Sequence, residues 1–460
     1  MTKARTGLAP AVAAAIALSL SGCASNAGEP LTANGKTAPV SGASPAQSAT
    51  PVPRPVSSTV TQTGTQTGTQ TAAAKPLQIN AGLAQPATFG EWRSGFRARA
   101  IAAGIRPDVV DGALAGITPN TRVIELDNRQ PEFSRPIWAY LDSAVSSSRI
   151  ATGRDKARTK RTALARIEEA YQVDAEAVVA IWGLESAFGA NFGDMSVIRS
   201  MATLAYDGRR KAFAEQQLIA ALKILQAGDI SRQRMVGSWA GAMGHTQFIP
   251  TSFLEYAQDF TGDGRRDIWA ADALDALAST ANYLAKFGWT RGAPAVVEVQ
   301  LPAGFDYSTA DQSIRRSAAE WRAAGVKPLE GALPDSDGVA ILIPAGAAGP
   351  AFAAYPNFRV IKRYNNATSY ALAVAHLADR IAGGGPFVGA WPREEKILSR
   401  TEKQELQSRL TALGYDTQGV DGIIGPNSRS AVRQFQQANR LTPDGFVSAG
   451  LLRAVRAAGG

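Results

Sequence analysis

Between Phe89 and Ala382 apolar residues return every three or four positions, and that period commits most of the folded chain to helices. Trp92, Phe96 and Ala100 repeat at i+4, Leu164, Ile167 and Tyr171 at i, i+3 and i+7, and Leu218, Leu222 and Leu225 at i, i+4 and i+7. Two short stretches, Ala295–Leu301 and Gly338–Ile343, lean toward strands instead. The expected fold class is therefore mainly α, an α(+β) domain over residues 87–385 with small β insertions. Gly383-Gly384-Gly385-Pro386 breaks the pattern. Beyond it, residues 398–460 read as a small three-helix module. Leu406, Leu410 and Leu413 share one helical face, and Gly414 suits the helix end. Asn427 or Ser428 is placed to cap a second helix carrying Val432 and Phe435, and Pro443-Asp444-Gly445 turns into a third with Leu451 and Leu452.

Upstream of the helical region the sequence changes character. Lys3 and Arg5 precede an apolar run from Leu8 to Leu20, too short for a bilayer span of about 20 residues but fitting a signal peptide over residues 1–22. It ends in Leu20-Ser21-Gly22-Cys23, which resembles the bacterial lipobox, and the resemblance implies lipidation at Cys23. Ala24, in place of Asp, leans toward the outer membrane. Residues 23–86 are poor in large apolar side chains and repeat Thr-Gln-Thr-Gly. Such a stretch buries too little surface to offset the entropy of ordering, and is expected to be a disordered tether.

Cysteine and charge narrow the function. Cys23 is the one cysteine, so no internal disulfide framework is available. Two histidines, His245 and His376, are too few for a His-rich metal centre and offer only two bases to a Ser/His hydrolase. The formal net charge is +9, yet residues 1–85 hold five Lys/Arg against one acid and no basic run follows. A nucleic-acid partner is not expected.

The chemistry concentrates at Glu185. Asp174 is a candidate N-cap for a helix in which Val178, Ile181, Trp182 and Glu185 fall at i, i+3, i+4 and i+7. A carboxyl on that apolar stripe loses hydration, which raises its pKa toward the range a general acid needs at neutral pH. Periodicity alone favours the other reading, a Glu at the stripe's edge whose carboxylate turns to water.

Four ordered segments bear on that choice: Ala180–Gly189 (AIWGLESAFG), Gly237–Pro250 (GSWAGAMGHTQFIP), Asp259–Gly264 leading into Asp275–Leu284, and Arg363–Tyr370 (RYNNATSY). Together they resemble the membrane-bound lytic murein transglycosylase B family. The tail, from "LQSRLTALGY" through "GVDGIIGPNSRSAVRQFQQANRL" to "PDG", resembles a type 1 peptidoglycan-binding-like domain. The first resemblance implies a lysozyme-like catalytic domain that cleaves the β-1,4 bond between N-acetylmuramic acid and N-acetylglucosamine without water, leaving 1,6-anhydro ends. It implies Glu185 as the single acid/base, Ser238 as its orienting partner, and Gln247, Tyr283, Tyr364, Asn365 and Tyr370 as the lining of a saccharide cleft. His245-Thr246 departs from the Tyr-Gly of many members, so no role carries over to that pair.

Asp259, Thr261, Asp263, Arg265 and Asp267 occupy alternate positions with Gly264 at the sixth, the first half of an EF-hand loop. Position twelve is Ala270 rather than Glu, so Asp272 or Asp275 would have to complete the site. A structural calcium held by Asp259, Thr261, Asp263, Arg265 and Asp275, and a metal-free turn, both remain open; the implied chemistry requires no cofactor. The expected partners are peptidoglycan glycan strands and, through the lipid, a membrane, for a monomer in the periplasm. Two alternatives stay beside this reading: a hydrolytic muramidase, and a non-catalytic lipoprotein that anchors the wall.

Overall fold

Trp92, Phe96 and Ala100 form the buried face of the helix Phe89–Ala102, which opens with a capping box in which Thr88 and Glu91 satisfy each other's backbone N–H groups. In this computed structural model residues 88–129 and 135–459 are described; the expected signal segment, the tether and Cys23 lie outside them. Seventeen α-helices and six short strands make up the described residues, a mainly α fold as the periodicity predicts. None of these helices is long and apolar enough to cross a membrane.

The centre of the α region is the helix Ala175–Ser186, in which every residue from Ala177 to Leu184 is buried. A helix apolar on all sides needs neighbours on all sides. The helices Thr368–Ala382 and Ser147–Thr159 pack along it. Asp174 does stand at its N-cap position, but its carboxylate makes no cap bond. It accepts instead from Trp289 Nε1 (2.8 Å) and Gly292 N (2.9 Å), tying the helix start to a loop more than a hundred residues away.

The β insertions are larger than the two expected strands. β1 (Met195–Ser196) and β2 (Val236–Gly237) form a small antiparallel pair. β3 (Val296–Gln300), β4 (Lys327–Pro328), β5 (Ala340–Leu342) and β6 (Ala351–Ala354) form an antiparallel sheet in the order β4-β3-β6-β5. β6 has no strand-like composition, being Ala-Phe-Ala-Ala, but all four residues are buried between two partners. Tertiary context sets its conformation, as is common for strands. The sheet has a core on each face, following the two-residue period of side chains. Leu342, Phe352 and Ala354 join the α core. Val299, Ile341, Ala351 and Ala353 join a second core around Trp321.

The tail contributes a third core of Leu406, Leu410, Val432, Phe435, Leu452 and Val455 on the helices Arg400–Ala412, Pro426–Ala438 and Ala449–Ala458. The expected cap of the second helix is corrected: Gly425 is the N-cap and Pro426 the first helical residue, where its fixed φ and missing N–H suit the helix start. Asn427 and Ser428 lie inside the helix, and the Ser428 hydroxyl accepts from Gln407. The tail packs within the same compact unit as the α region, and Asp444 Oδ2 accepts from Ala347 N at 2.9 Å.

Candidate active site

Glu185 occupies the last turn of the central helix, where the chain leaves by an unusual route. Ala187, Phe188 and Gly189 follow with φ of 50°, 59° and 87°, three left-handed residues in succession. Such conformations are costly for residues with a Cβ and persist only where surrounding contacts impose them. Phe188 N donates to Trp182 O, Asn191 N to Ser186 O, and Gly189 N to Ser186 Oγ, closing the helix on itself. Only glycine fits the third position, since a Cβ there would stand 2.3 Å from His245 Cε1.

His245 is the underside of this turn. Its Nδ1 accepts from Trp182 Nε1 (3.1 Å) and its Nε2 faces Ala270 O (2.9 Å), a pairing that assigns the proton to Nε2. Burial pushes the imidazole pKa down, so the ring stays neutral and braces the helix end. Its own carbonyl accepts from Ser186 Oγ at 2.6 Å.

The Glu185 carboxyl is half-buried. Burial pushes it up to about 7, against one opposing influence, the hydroxyl of Tyr370, which donates to Oε1 at 2.5 Å. No second carboxylate contributes to the shift. Tyr370 is buried, on the helix Thr368–Ala382 packed against the Glu185 helix, so two elements of the core hold donor and acceptor. Near neutrality such a group is divided between acid and carboxylate, and can both give and receive a proton.

Tyr364 also lies within electrostatic reach of Glu185, and burial holds its phenol well above the ordinary value. Its hydroxyl donates to Thr246 O at 2.5 Å. That bond ties the loop bearing Gln247 to the helix end bearing Asn365. Gln247, itself left-handed at φ 55°, spends both amide hydrogens on Phe192 O and Gly244 O, leaving its Oε1 as an acceptor. Asn365 Oδ1 accepts from Ala367 N, leaving its NH₂ as a donor.

The expected bond between Ser238 and Glu185 is corrected. Ser238 makes no hydrogen bond to Glu185 among the described residues; its hydroxyl accepts from Ala242 N (3.0 Å) and closes the turn after β2. Tyr283 is buried against Tyr364, ring centroids 5.0 Å apart, and its hydroxyl donates to Arg363 O at 2.6 Å.

One residue escapes sequence reasoning. Tyr140, on the helix Ile137–Ala144, is pushed up to about 12 by burial, then by the charge of Glu185, with Arg149 opposing. Local pattern does not distinguish it, because its relation to Glu185 exists only in the folded chain.

Away from this site, oxygens of Asp259, Asp263 and Asp275 lie within 4.8 Å of one another. Backbone donors hold them there. Asp259 accepts from Gly262, Asp263 and Gly264, and Asp275 from Phe260, Thr261 and Asp267. Asp275, not the twelfth-position Ala270, is the third and buried carboxylate of this group. Hard oxygen ligands at this separation fit a calcium ion.

The transglycosylase SLT domain matches residues 88–379, and a peptidoglycan binding domain matches residues 399–455. Membrane-bound lytic murein transglycosylase B of Escherichia coli K12 is 32% identical over 226 residues, 48% of this chain and 60% of that relative's length. The chain thus spans less than two thirds of that relative. SltB3 of Pseudomonas aeruginosa, solved in complex with NAG-anhNAM-pentapeptide, is 50% identical, with a TM-score of 0.78 over 81% of this chain and 100% of that one. The Escherichia coli lytic transglycosylase Slt35 in complex with calcium is 28% identical, with a TM-score of 0.55 over 63% of this chain and 92% of that one.

Proposed function

The chain belongs to the family of the transglycosylase SLT domain, and from that premise we propose that it is a lytic transglycosylase that cleaves the MurNAc–GlcNAc β-1,4 bond of peptidoglycan and closes a 1,6-anhydro ring. The observation that carries this reading is the Glu185 carboxyl, raised to about 7 by burial and held by Tyr370. Most glycoside hydrolases use two carboxylates. Here the muramic acetamido oxygen takes the second role, supporting C1 as it becomes oxocarbenium-like.

Glu185 gives its proton to the bridging oxygen as the C1–O bond breaks. The carboxylate so formed keeps the Tyr370 hydrogen bond, a charge-assisted one that strengthens as charge develops. It then removes the proton from the muramic C6 hydroxyl, whose oxygen bonds to C1, and Glu185 is again an acid. The closing hydroxyl belongs to the same sugar and so acts at an effective concentration far above that of a free nucleophile. Tyr364, Gln247 Oε1 and the Asn365 NH₂ present the stacking surface, acceptor and donor that a sugar with acetamido and hydroxyl groups needs. Mass spectrometry of digested murein sacculi tests the proposal. Anhydro products, one water lighter than hydrolytic ones, are expected; reducing ends from a purified enzyme would make it a muramidase instead.

Two finer proposals accompany it. The acidic loop holds a structural calcium on Asp259, Thr261, Asp263, Arg265 and Asp275. Calcium is then expected to raise the melting temperature by several degrees in the wild type and by none in Asp263→Asn; an equal shift in both would overturn the site. Lipidation at Cys23 is proposed to anchor the protein to the outer membrane, facing the periplasm. Cys23→Ala should move murein-cleaving activity from the membrane fraction to the soluble one, and activity that stays with the membrane would count against the anchor.

A further inference from the structure

The other end of the Glu185 helix opens onto a second cavity. Its volume is about 720 Å³, and it lies between the start of that helix, the end of the helix Thr368–Ala382, strand β3 and the segment that follows Gly383. Glu185 does not line it. Ala177 does, and stands eight helical residues away, ~12 Å along the axis at the usual rise.

The lining is one-signed. Asp174, Glu176, Glu298, Glu330 and Asp379 border the cavity, and no Lys or Arg does, in a chain whose net charge is +9. Asp174 and Glu298 have internal duties: Asp174 holds Trp289 and Gly292, and Glu298 accepts from the backbone of Val388 and Gly389. The side-chain carboxylates of Glu176, Glu330 and Asp379 enter no hydrogen bond or ion pair among the described residues. Arg380 stands beside Asp379 without lining the cavity.

Three further observations are independent of the charge. His376 lines the cavity 9% exposed, stacked on Phe387 at 3.8 Å, and neither ring nitrogen has a hydrogen-bond partner among the described residues. Burial, then the charge of Arg380, push its pKa down to about 4, so it adds no cation to the site. Leu329 and Val388, 38% and 57% exposed, are among the few exposed large apolar residues, and both sit on the rim. Finally, β3 has an open edge at Val296. β4 pairs with Val299 and Gln300 and Leu329 N donates to Glu298 O, but at Val296, which borders the cavity, the strand has β6 on one side and no partner strand on the other.

We propose that this cavity is a binding site for an extended peptide carrying Lys or Arg side chains at alternate positions. The peptide pairs with β3 at Val296, as strands add to open sheet edges. Its alternating side chains then part to two faces. The cationic set meets Glu176, Glu330 and Asp379, and the other set covers Leu329, Phe387 and Val388. His376 offers a neutral hydrogen-bonding group at the cavity wall. A small amine would use the carboxylates but leave the strand edge and apolar rim uncovered.

The test uses the full chain and a fluorescein-labelled acetyl-Val-Lys-Val-Lys-Val-amide, read by polarisation at low ionic strength. Saturable binding is expected, weakened about tenfold or more in Glu176→Gln/Glu330→Gln/Asp379→Asn and at high salt, where exposed charges are screened. The Glu176→Gln/Glu330→Gln pair, whose carboxyls make no internal bond, should show a smaller loss with an unchanged melting temperature. Murein cleavage by these variants should equal that of the wild type, so the result stands apart from the catalytic reading. Absence of saturable binding, equal binding to wild type and triple variant, or equal binding of the Val-Glu-Val-Glu-Val counterpart would overturn the proposal.

Discussion

Replacing Glu185 by Gln lowers murein cleavage by ~10³-fold or more, the range ascribed to a positioned acid and base, and makes the protein more stable at pH 8. The two effects have one origin. Folding raises the carboxyl from 4.5 to about 7, so between those values the folded chain binds more protons than the unfolded one. Stability then falls as pH rises through that window. Gln has no proton to lose, and its Oε1 can still accept from Tyr370. Above pH 7 the variant is expected to be the more stable by on the order of 2 kcal/mol, and near pH 4.5 the difference should vanish. Wild-type cleavage should decline about tenfold per pH unit above 7 as the acid form is lost. Chemical denaturation at pH 4.5 and 8, with product assays on the same preparations, reads both. Full cleavage by the variant would remove Glu185 from the mechanism; an equal stability difference at both pH values would show that folding does not raise its pKa.

Trp321→Ala is expected to destabilise the sheet region by about 4 kcal/mol, within the range for large aromatic truncations. Trp321 is fully buried in the smaller of the two cores flanking the sheet, donates from Nε1 to Val339 O at 2.8 Å and lies under the Arg316 guanidinium at 4.6 Å. The Val339 carbonyl keeps Arg316 N as a partner, so the loss is mainly the void and not an orphaned acceptor. Because the Glu185 helix packs in the other core, hydrogen exchange should quicken most over β3–β6 and least over Ala175–Ser186. Uniform quickening, or a loss below about 1 kcal/mol, would show that the second core is not a distinct support of the sheet.

Helices with a clean apolar period were legible from sequence, as Trp92, Phe96 and Ala100 show, since one buried face leaves a direct trace. β6 was not, because Ala-Phe-Ala-Ala carries no strand preference and is held by burial between partners distant in the chain. Asp174 shows the limit of capping logic: a position can be right while the side chain answers a remote tryptophan. Within the site, Glu185 could be placed on its stripe and Tyr370 named through resemblance. That Tyr283 and Tyr364 meet ring to ring depends on which helices stand side by side, so their contact left no local trace. Tyr140 left no local trace at all.

The three left-handed residues after Ser186 carry a consequence for anyone hoping to borrow this chemistry. Glu185 stands just before a reversed backbone held by Trp182, Ser186 and His245, and its carboxyl is held by Tyr370. Moving a glutamate alone to the end of another helix would transfer the functional group without its direction. The transferable unit is the helix end, its reversal and the neutral imidazole beneath, a part that would have to be grafted whole.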